Sequence, residues 1–158
     1  MSEMQIIDAP EVIRDSRIGI VASRYNNVIV ERLLNACLDT LKDNGIEENL
    51  ITVVKVPGAF ELPVVAKQLA TLGSVDAIIA LGVVIRGETP HFDYVAGECA
   101  GGLSRVATDH GIPVIFGVLT VNNEQQALER SGRGKRNKGH EAANTALEMI
   151  SVLNRLEK

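Results

Sequence analysis

Residues 77–91 read AIIALGVVIRGETPH. From Ala77 to Ile85 the run is apolar apart from Gly82, which suits a strand covered on both faces of a parallel sheet. It breaks at Arg86, and from Pro90 to about His110 the pattern turns helical. The same alternation recurs on either side. Ile18 to Ala22 is a short β-branched run, followed by Arg24-Tyr25-Asn26 and then by apolar residues at Ile29, Leu33, Leu34, Cys37, Leu38 and Leu41. These form one helical face that closes near Gly45. Ile51 to Val56 is broken by Pro57-Gly58, and Leu62, Val65, Leu69 and Leu72 mark the next helix. Pro113 to Leu119 is expected as a fourth strand. A helix from Glu124 to Arg130 follows, capped by Asn122 or Asn123 with Gln125 or Gln126 completing a capping box. A last helix runs from about Lys138 to Asn154, after a loop from Ser131 to Asn137 too short to be a linker. Strands alternating with helices imply a parallel sheet with right-handed crossovers, covered on both faces.

Length and composition agree with one core. At 158 residues a second core would leave two halves too small to bury much apolar surface, so 1–158 is read as a single domain. A net charge of -4 argues against general nucleic-acid binding, which needs a basic face. Cys37 and Cys99 lie far apart in apolar helical patterns, so they read as small hydrophobes rather than a disulfide. Met1 to Asp15 lacks a basic start and an apolar h-region, and no apolar run is long enough to span a bilayer. A cytoplasmic protein with no membrane partner is the expectation.

In an open parallel sheet, ligands bind beyond the carboxyl ends of the strands. Here those loops carry Arg24-Tyr25-Asn26, Pro57-Gly58-Ala59-Phe60-Glu61, Arg86-Gly87-Glu88-Thr89-Pro90-His91 and the region from Phe116 to Asn123. In the third loop Thr89 is expected as the helix N-cap and Pro90 as the first helical residue, with His91 in the first turn. Free N–H groups there favour an anion such as phosphate. A histidine beside it can accept and return protons near neutral pH, or merely decorate a helix start; spacing alone does not separate the two. Tyr25 and Phe60 can stack on a flat heterocycle or plug the rim of a core, the commoner case. Phe116, within a strand, reads first as core. Glu61 and Glu88 are a carboxylate pair or two helix-start acids, the second being preferred for Glu88. Arg130, Arg133, Lys135, Arg136 and Lys138 form the one concentrated cationic stretch, by default a solvated loop. No G-x-x-x-x-G-K-[ST] occurs, no G-x-G-x-x-G follows a strand, and His91, His110 and His140 have no metal-ligand spacing.

Taken together, Arg24-Tyr25-Asn26, residues 57–63 (PGAFELP), residues 82–92 (GVVIRGETPHF), Phe116-Gly117-Val118-Leu119-Thr120 and Asn137-Lys138-Gly139 resemble the lumazine synthase family, in order and spacing from about residue 16 onward. The resemblance implies a flavodoxin-like, three-layer α/β/α sandwich with a four-stranded parallel sheet in the order 2-1-3-4. It also implies a transferase of riboflavin biosynthesis. Such an enzyme condenses 5-amino-6-(D-ribitylamino)uracil with 3,4-dihydroxy-2-butanone 4-phosphate to 6,7-dimethyl-8-ribityllumazine, phosphate and water, with no redox cofactor and no metal. It makes His91 the proton-transfer residue, Arg130 the phosphate ligand with contacts from Glu88 and Thr89, and Lys138 a nearby cation. Tyr25 would stack on the pyrimidine. Asn26, Ala59, Phe60 and Glu61, with Val83, Val84 and Ile85, would line the substrate site, and Phe116 would close it from the neighbouring subunit. The partners implied are these small molecules and further copies of the chain. Pentamers with shared sites, often closing into icosahedral capsids, are expected, with 1–15 as a flexible or neighbour-contacting arm and riboflavin synthase as a further partner.

This sequence departs from the family pattern in two places. Tyr25 stands where the family commonly has phenylalanine or tryptophan, which keeps stacking but adds a hydroxyl. Arg133-Gly134-Lys135-Arg136 replaces a usual threonine-lysine-alanine-glycine loop near subunit contacts. A receiver-type module of similar architecture would need acidic residues where this chain has Arg24-Tyr25-Asn26, and a flavin carrier would hold FMN. An inactive shell would not be expected to keep His91, Arg130 and Lys138.

Overall fold

The computed structural model describes residues 3–8 and 10–157. Four strands, β1 (Ile18–Ser23), β2 (Ile51–Val56), β3 (Ala77–Ile85) and β4 (Val114–Val121), form one parallel sheet in the order β2-β1-β3-β4. Helices α1 (Asn27–Asp43), α2 (Leu62–Leu72), α3 (His91–His110), α4 (Glu124–Arg130) and α5 (Lys138–Leu156) connect and cover it, with short 3₁₀ turns at Glu48–Leu50 and Ala59–Glu61. The expected three-layer sandwich and strand order are the ones found.

The layers follow from the two-residue period of the strands. Ile18, Ile20 and Ala22 of β1, with Ile79, Leu81 and Val83 of β3, pack beneath α1 and α5. Val21, Ile78, Ala80 and Val84 point the other way, beneath α2 and α3. Because β3 sits between β1 and β4 and is buried from Ala77 to Val84, it can be apolar on both faces without exposing either. On the α1 side, α5 approaches α1 closely at Gly139, where a Cβ would lie 1.9 Å from the Leu33 carbonyl oxygen. Only glycine fits there.

Several boundaries differ from the sequence expectation. Helix α3 begins at His91 with Pro90 as its cap residue, one position later than expected, and the Thr89 hydroxyl lies 3.5 Å from the His91 N–H, at the limit of a hydrogen bond. Proline at the cap rather than inside leaves the first N–H groups of α3 with no side-chain acceptor in the cap residue itself. Strand β4 starts after Pro113, which has no N–H to give a ladder, and continues to Val121 because β3 is long enough to pair with it, Ile85 opposite Val121. Asn123, not Asn122, caps α4: its Oδ1 accepts from the Gln126 N–H at 2.9 Å, while Gln126 Oε1 accepts from the Asn122 N–H at 2.8 Å. Helix α5 ends at Leu156, two residues beyond the expected Asn154, before Glu157.

Residues ahead of β1 are tied to this body from Glu11 onward: the Ser151 hydroxyl donates to the Glu11 carbonyl at 2.7 Å, and Val12 and Ile13 pack on the α1–α5 core. Residues 1, 2 and 9, part of the expected N-terminal arm, lie outside the described residues.

Candidate active site

The carboxyl ends of β1 and β2 are held together by backbone bonds. The Arg24 N–H donates to the Val56 carbonyl at 2.8 Å and the Tyr25 N–H to the Pro57 carbonyl at 3.0 Å. Asn26 then takes a left-handed conformation (φ 61°) that asparagine tolerates, and α1 departs. The Tyr25 ring lies against Gly58, where a Cβ would come within 2.7 Å of Cδ2, so glycine is what allows the ring this close. Tyr25 and Phe60 are 67% and 57% exposed, which rules out the core-plug reading for both. Ala59 is buried, and Glu61 spends one carboxylate oxygen on the Gly58 N–H at 3.0 Å, closing the turn. Glu61 is therefore a turn-maker in this structure and Glu88 an exposed loop acid.

At the end of β3, Val83 and Val84 are buried on opposite faces and only Ile85 is part-exposed. Pairing of β3 with β1 stops at Ala22 opposite Leu81, whereas pairing with β4 continues to Ile85. The last residues of β3 thus present one backbone edge with no strand partner, beyond the end of β1. Unpaired backbone donors and acceptors at such an edge are suited to the amide edge of a planar ring. Gly87, Glu88, Thr89, Pro90 and His91 follow, all exposed, with nothing within 4 Å of a Cβ placed on Gly87. His91 heads the twenty-residue helix α3, at the positive end of its dipole.

The second group of polar residues lies along the outer edge of the sheet. Arg130 ends α4 and donates from NH1 to its own Gln126 carbonyl at 3.0 Å; Lys138 opens α5 and reaches Glu141 Oε1 at 3.1 Å. A groove of about 330 Å³ brings Arg130, Arg136 and Lys138 together with Phe116 and Thr120 of β4. None of residues 24–26, 57–61 or 86–91 lines it. Phe116 is part-buried, packed on the α2–α3 core yet also lining this groove, so the core reading of Phe116 holds only for one side of its ring.

The cationic stretch is split by the turn at 131–137. Arg136 joins Arg130 and Lys138, while Arg133 and Lys135 line a separate groove of about 950 Å³ against α1. Asn137 makes the split: it caps α5 by accepting from the Gly139 N–H at 2.7 Å, and its Nδ2 donates to the carbonyls of Ser131 (3.0 Å) and Gly132 (2.9 Å). An asparagine immediately before the last helix was a cap signal in the sequence; its grip on the loop, which orients Arg136 and Lys138, was not. Among the described residues no three His, Cys, Asp or Glu side chains converge as a metal would need, and no helix is long and apolar enough to cross a membrane. Compared with known families, the chain matches the one described as 6,7-dimethyl-8-ribityllumazine synthase, over residues 15–154.

Proposed function

Because the chain belongs to the 6,7-dimethyl-8-ribityllumazine synthase family, transferases of riboflavin biosynthesis, we propose that it condenses 5-amino-6-(D-ribitylamino)uracil with 3,4-dihydroxy-2-butanone 4-phosphate. The observation that carries the proposal is the unpaired backbone edge at the end of β3, which lies at the same carboxyl end of the sheet as the exposed rings of Tyr25 and Phe60. A pyrimidinedione has two faces for aromatic stacking and an edge of alternating amide donors and acceptors, which that arrangement can bind. Asn26, Ala59 and Glu61 complete the wall on the side of the ribityl chain.

The phosphorylated butanone then lies toward the 87–91 loop, where Glu88 and Thr89 offer backbone contacts at the head of α3, and toward Arg130 and Lys138. The chemistry asks for an amine to attack a ketone, water to leave, a proton to be lost, phosphate to be eliminated and the second amine to close the ring on the remaining carbonyl with loss of a second water. His91 takes and returns the protons, and Arg130 with Lys138 stabilises the departing phosphate. Holding two substrates side by side supplies much of the remaining acceleration. None of the β1–β3 loop residues lines the cationic groove, which supports a reading in which a second copy supplies Phe116, Arg130 and Lys138 to each site.

The deciding experiment mixes purified protein with both substrates and follows lumazine absorbance. Formation of product only when both are present is expected; no product at saturating concentrations of each overturns the proposal.

A further inference from the structure

Arg86 is not one of the proposed substrate ligands, yet its side chain bridges α3 and the turn before α4 while its backbone holds the end of β4. Its backbone N–H donates to the Val121 carbonyl at 2.8 Å, pinning the first foot of the 87–91 loop to the end of β4. Its guanidinium carbon lies 4.3 Å from the centroid of the Phe92 ring, its NH1 is 3.4 Å from Asp93 Oδ1, and its Nε donates to Asn122 Oδ1 at 3.2 Å. Phe92 and Asp93 are the residues immediately after His91. Asn122 precedes the cap of α4, the helix that ends at Arg130.

The loop between has little else to hold it. Residues 87–91 are exposed, nothing packs at Gly87, and the hydrogen bonds made by the loop's own groups among the described residues are the 3.5 Å contact of Thr89 with the His91 N–H and the 3.0 Å bond from the Asp93 N–H to the Pro90 carbonyl. A surface ion pair alone would do little to fix it. A planar guanidinium stacked on one ring while its edge donates to two partners is a different device, because stacking sets its plane and the fork sets its rotation.

We propose that Arg86 is the positioning residue of the site, clamping both feet of the 87–91 loop so that His91 and the loop's phosphate-facing N–H groups keep one geometry relative to the end of β4. The inference rests on the synthase reading. It makes Arg86 act through the loop, not on substrate, so its loss falls on the phosphorylated substrate and on turnover, and spares the pyrimidine held at the Tyr25 side.

Steady-state kinetics on Arg86→Ala, Arg86→Lys and Asn122→Ala, with both substrates varied and melting temperatures recorded, tests it. Arg86→Ala is expected to lower kcat/KM for the phosphorylated butanone by about tenfold or more, since small misplacements of reacting groups cost that much, with the pyrimidine KM within twofold. Arg86→Lys recovers part of the loss, because an ammonium can reach Phe92 or Asp93 but cannot span to Asn122 as well. Asn122→Ala shows a smaller loss in the same direction, and these two variants carry the test if Arg86→Ala does not fold. Constants within twofold of wild type for the phosphorylated substrate, or a loss shared by the pyrimidine KM and tracking a fall in melting temperature, overturn the proposal. A wild-type protein that forms no lumazine overturns the synthase reading instead, before any variant is compared.

Discussion

His91 and Arg130 stand at opposite kinds of helix end, one at the start of α3 and the other at the finish of α4. Each is placed where its helix dipole suits its proposed role, since the positive end favours a substrate anion beside His91 and the negative end steadies the Arg130 cation. Their removal should therefore fail differently. His91→Ala is expected to lower kcat by about 10²-fold or more, the usual size of a lost general acid–base, with modest change in either KM. Arg130→Ala is expected to raise the KM of the phosphorylated butanone by about tenfold or more, a charge-assisted hydrogen bond being worth about 1.5–3 kcal/mol. An unaltered phosphate-substrate KM in the Arg130 variant removes it from the site. The cysteines behave as the sequence pattern implied: both are buried and free, and burial pushes Cys37 up to about 12 and Cys99 up to about 11. Since the thiolate is the nucleophile, iodoacetamide at pH 8 should label neither in the native protein and both in guanidinium, as mass spectrometry can count. At this scale the sequence was least transparent for Arg86, whose partner Asn122 is brought to it by the pairing of β3 with β4 and whose partners Phe92 and Asp93 by the return of the 87–91 loop into α3.

Among the elements, α5 depends on two adjoining residues. Asn137 is 3% exposed and its side-chain amide satisfies backbone groups on both sides of the loop, so Asn137→Ala loses a helix cap and leaves buried carbonyls without donors. A cost of about 2–4 kcal/mol is expected in urea unfolding, with activity falling further than stability because Arg136 and Lys138 lose their orientation. Gly139→Ala must move α5 off the Leu33 carbonyl, and its unfolding free energy should drop by more than about 2 kcal/mol, against a gain of under 1 kcal/mol for Gly→Ala at an unstrained helix position. Equal stability of the two proteins would mean that α1 and α5 do not pack this closely. Hydrophobic patterning, with cap signals for α4, located every strand and α-helix, since each strand and long helix has one face or both faces in a core, but not the short 3₁₀ turns at Glu48–Leu50 and Ala59–Glu61. It missed the exact start of α3 because Thr89 and Pro90 satisfy the N-cap and first-turn preferences equally well one residue earlier. The end of β4 was missed because its length is set by its partner β3.

For the molecule as a whole, the proposed reaction needs the His91 loop and the Arg130 groove at one site, and this yields a test that single variants cannot. If the His91 loop of one copy faces the Arg130 groove of another, co-refolding equal amounts of the His91→Ala and Arg130→Ala proteins should raise activity above the mean of the two variants, when assayed at butanone phosphate well below the KM of the Arg130 variant. Random pairing gives about a quarter of sites both native residues. No recovery in co-refolded mixtures that sediment as one assembly would place both residues in a site within one copy. The sequence carried the fold at this scale, because alternation of strand and helix allows few topologies. It did not carry the division of the basic loop between two grooves: Arg133 and Lys135 alternate with glycine in sequence, and the buried Asn137, which ties the loop's carbonyls to the start of α5, gives no sign of which cations line which groove.

The central place of β3 also governs how the chain can assemble itself. Ile18 of β1 pairs with Ala77, and Ile78 with Val114, so both ladders of β3 join residues far apart in the chain. Until residues 77–85 have emerged from the ribosome, β1 and β2 can form only a two-stranded ribbon, with one apolar flank of β1 open to solvent and no strand to close it. Closing those long loops must precede the burial that rewards it, which favours slow folding and exposes the half-made chain to self-association. The strand most needed for the binding edge is therefore also the step on which the yield of native protein depends.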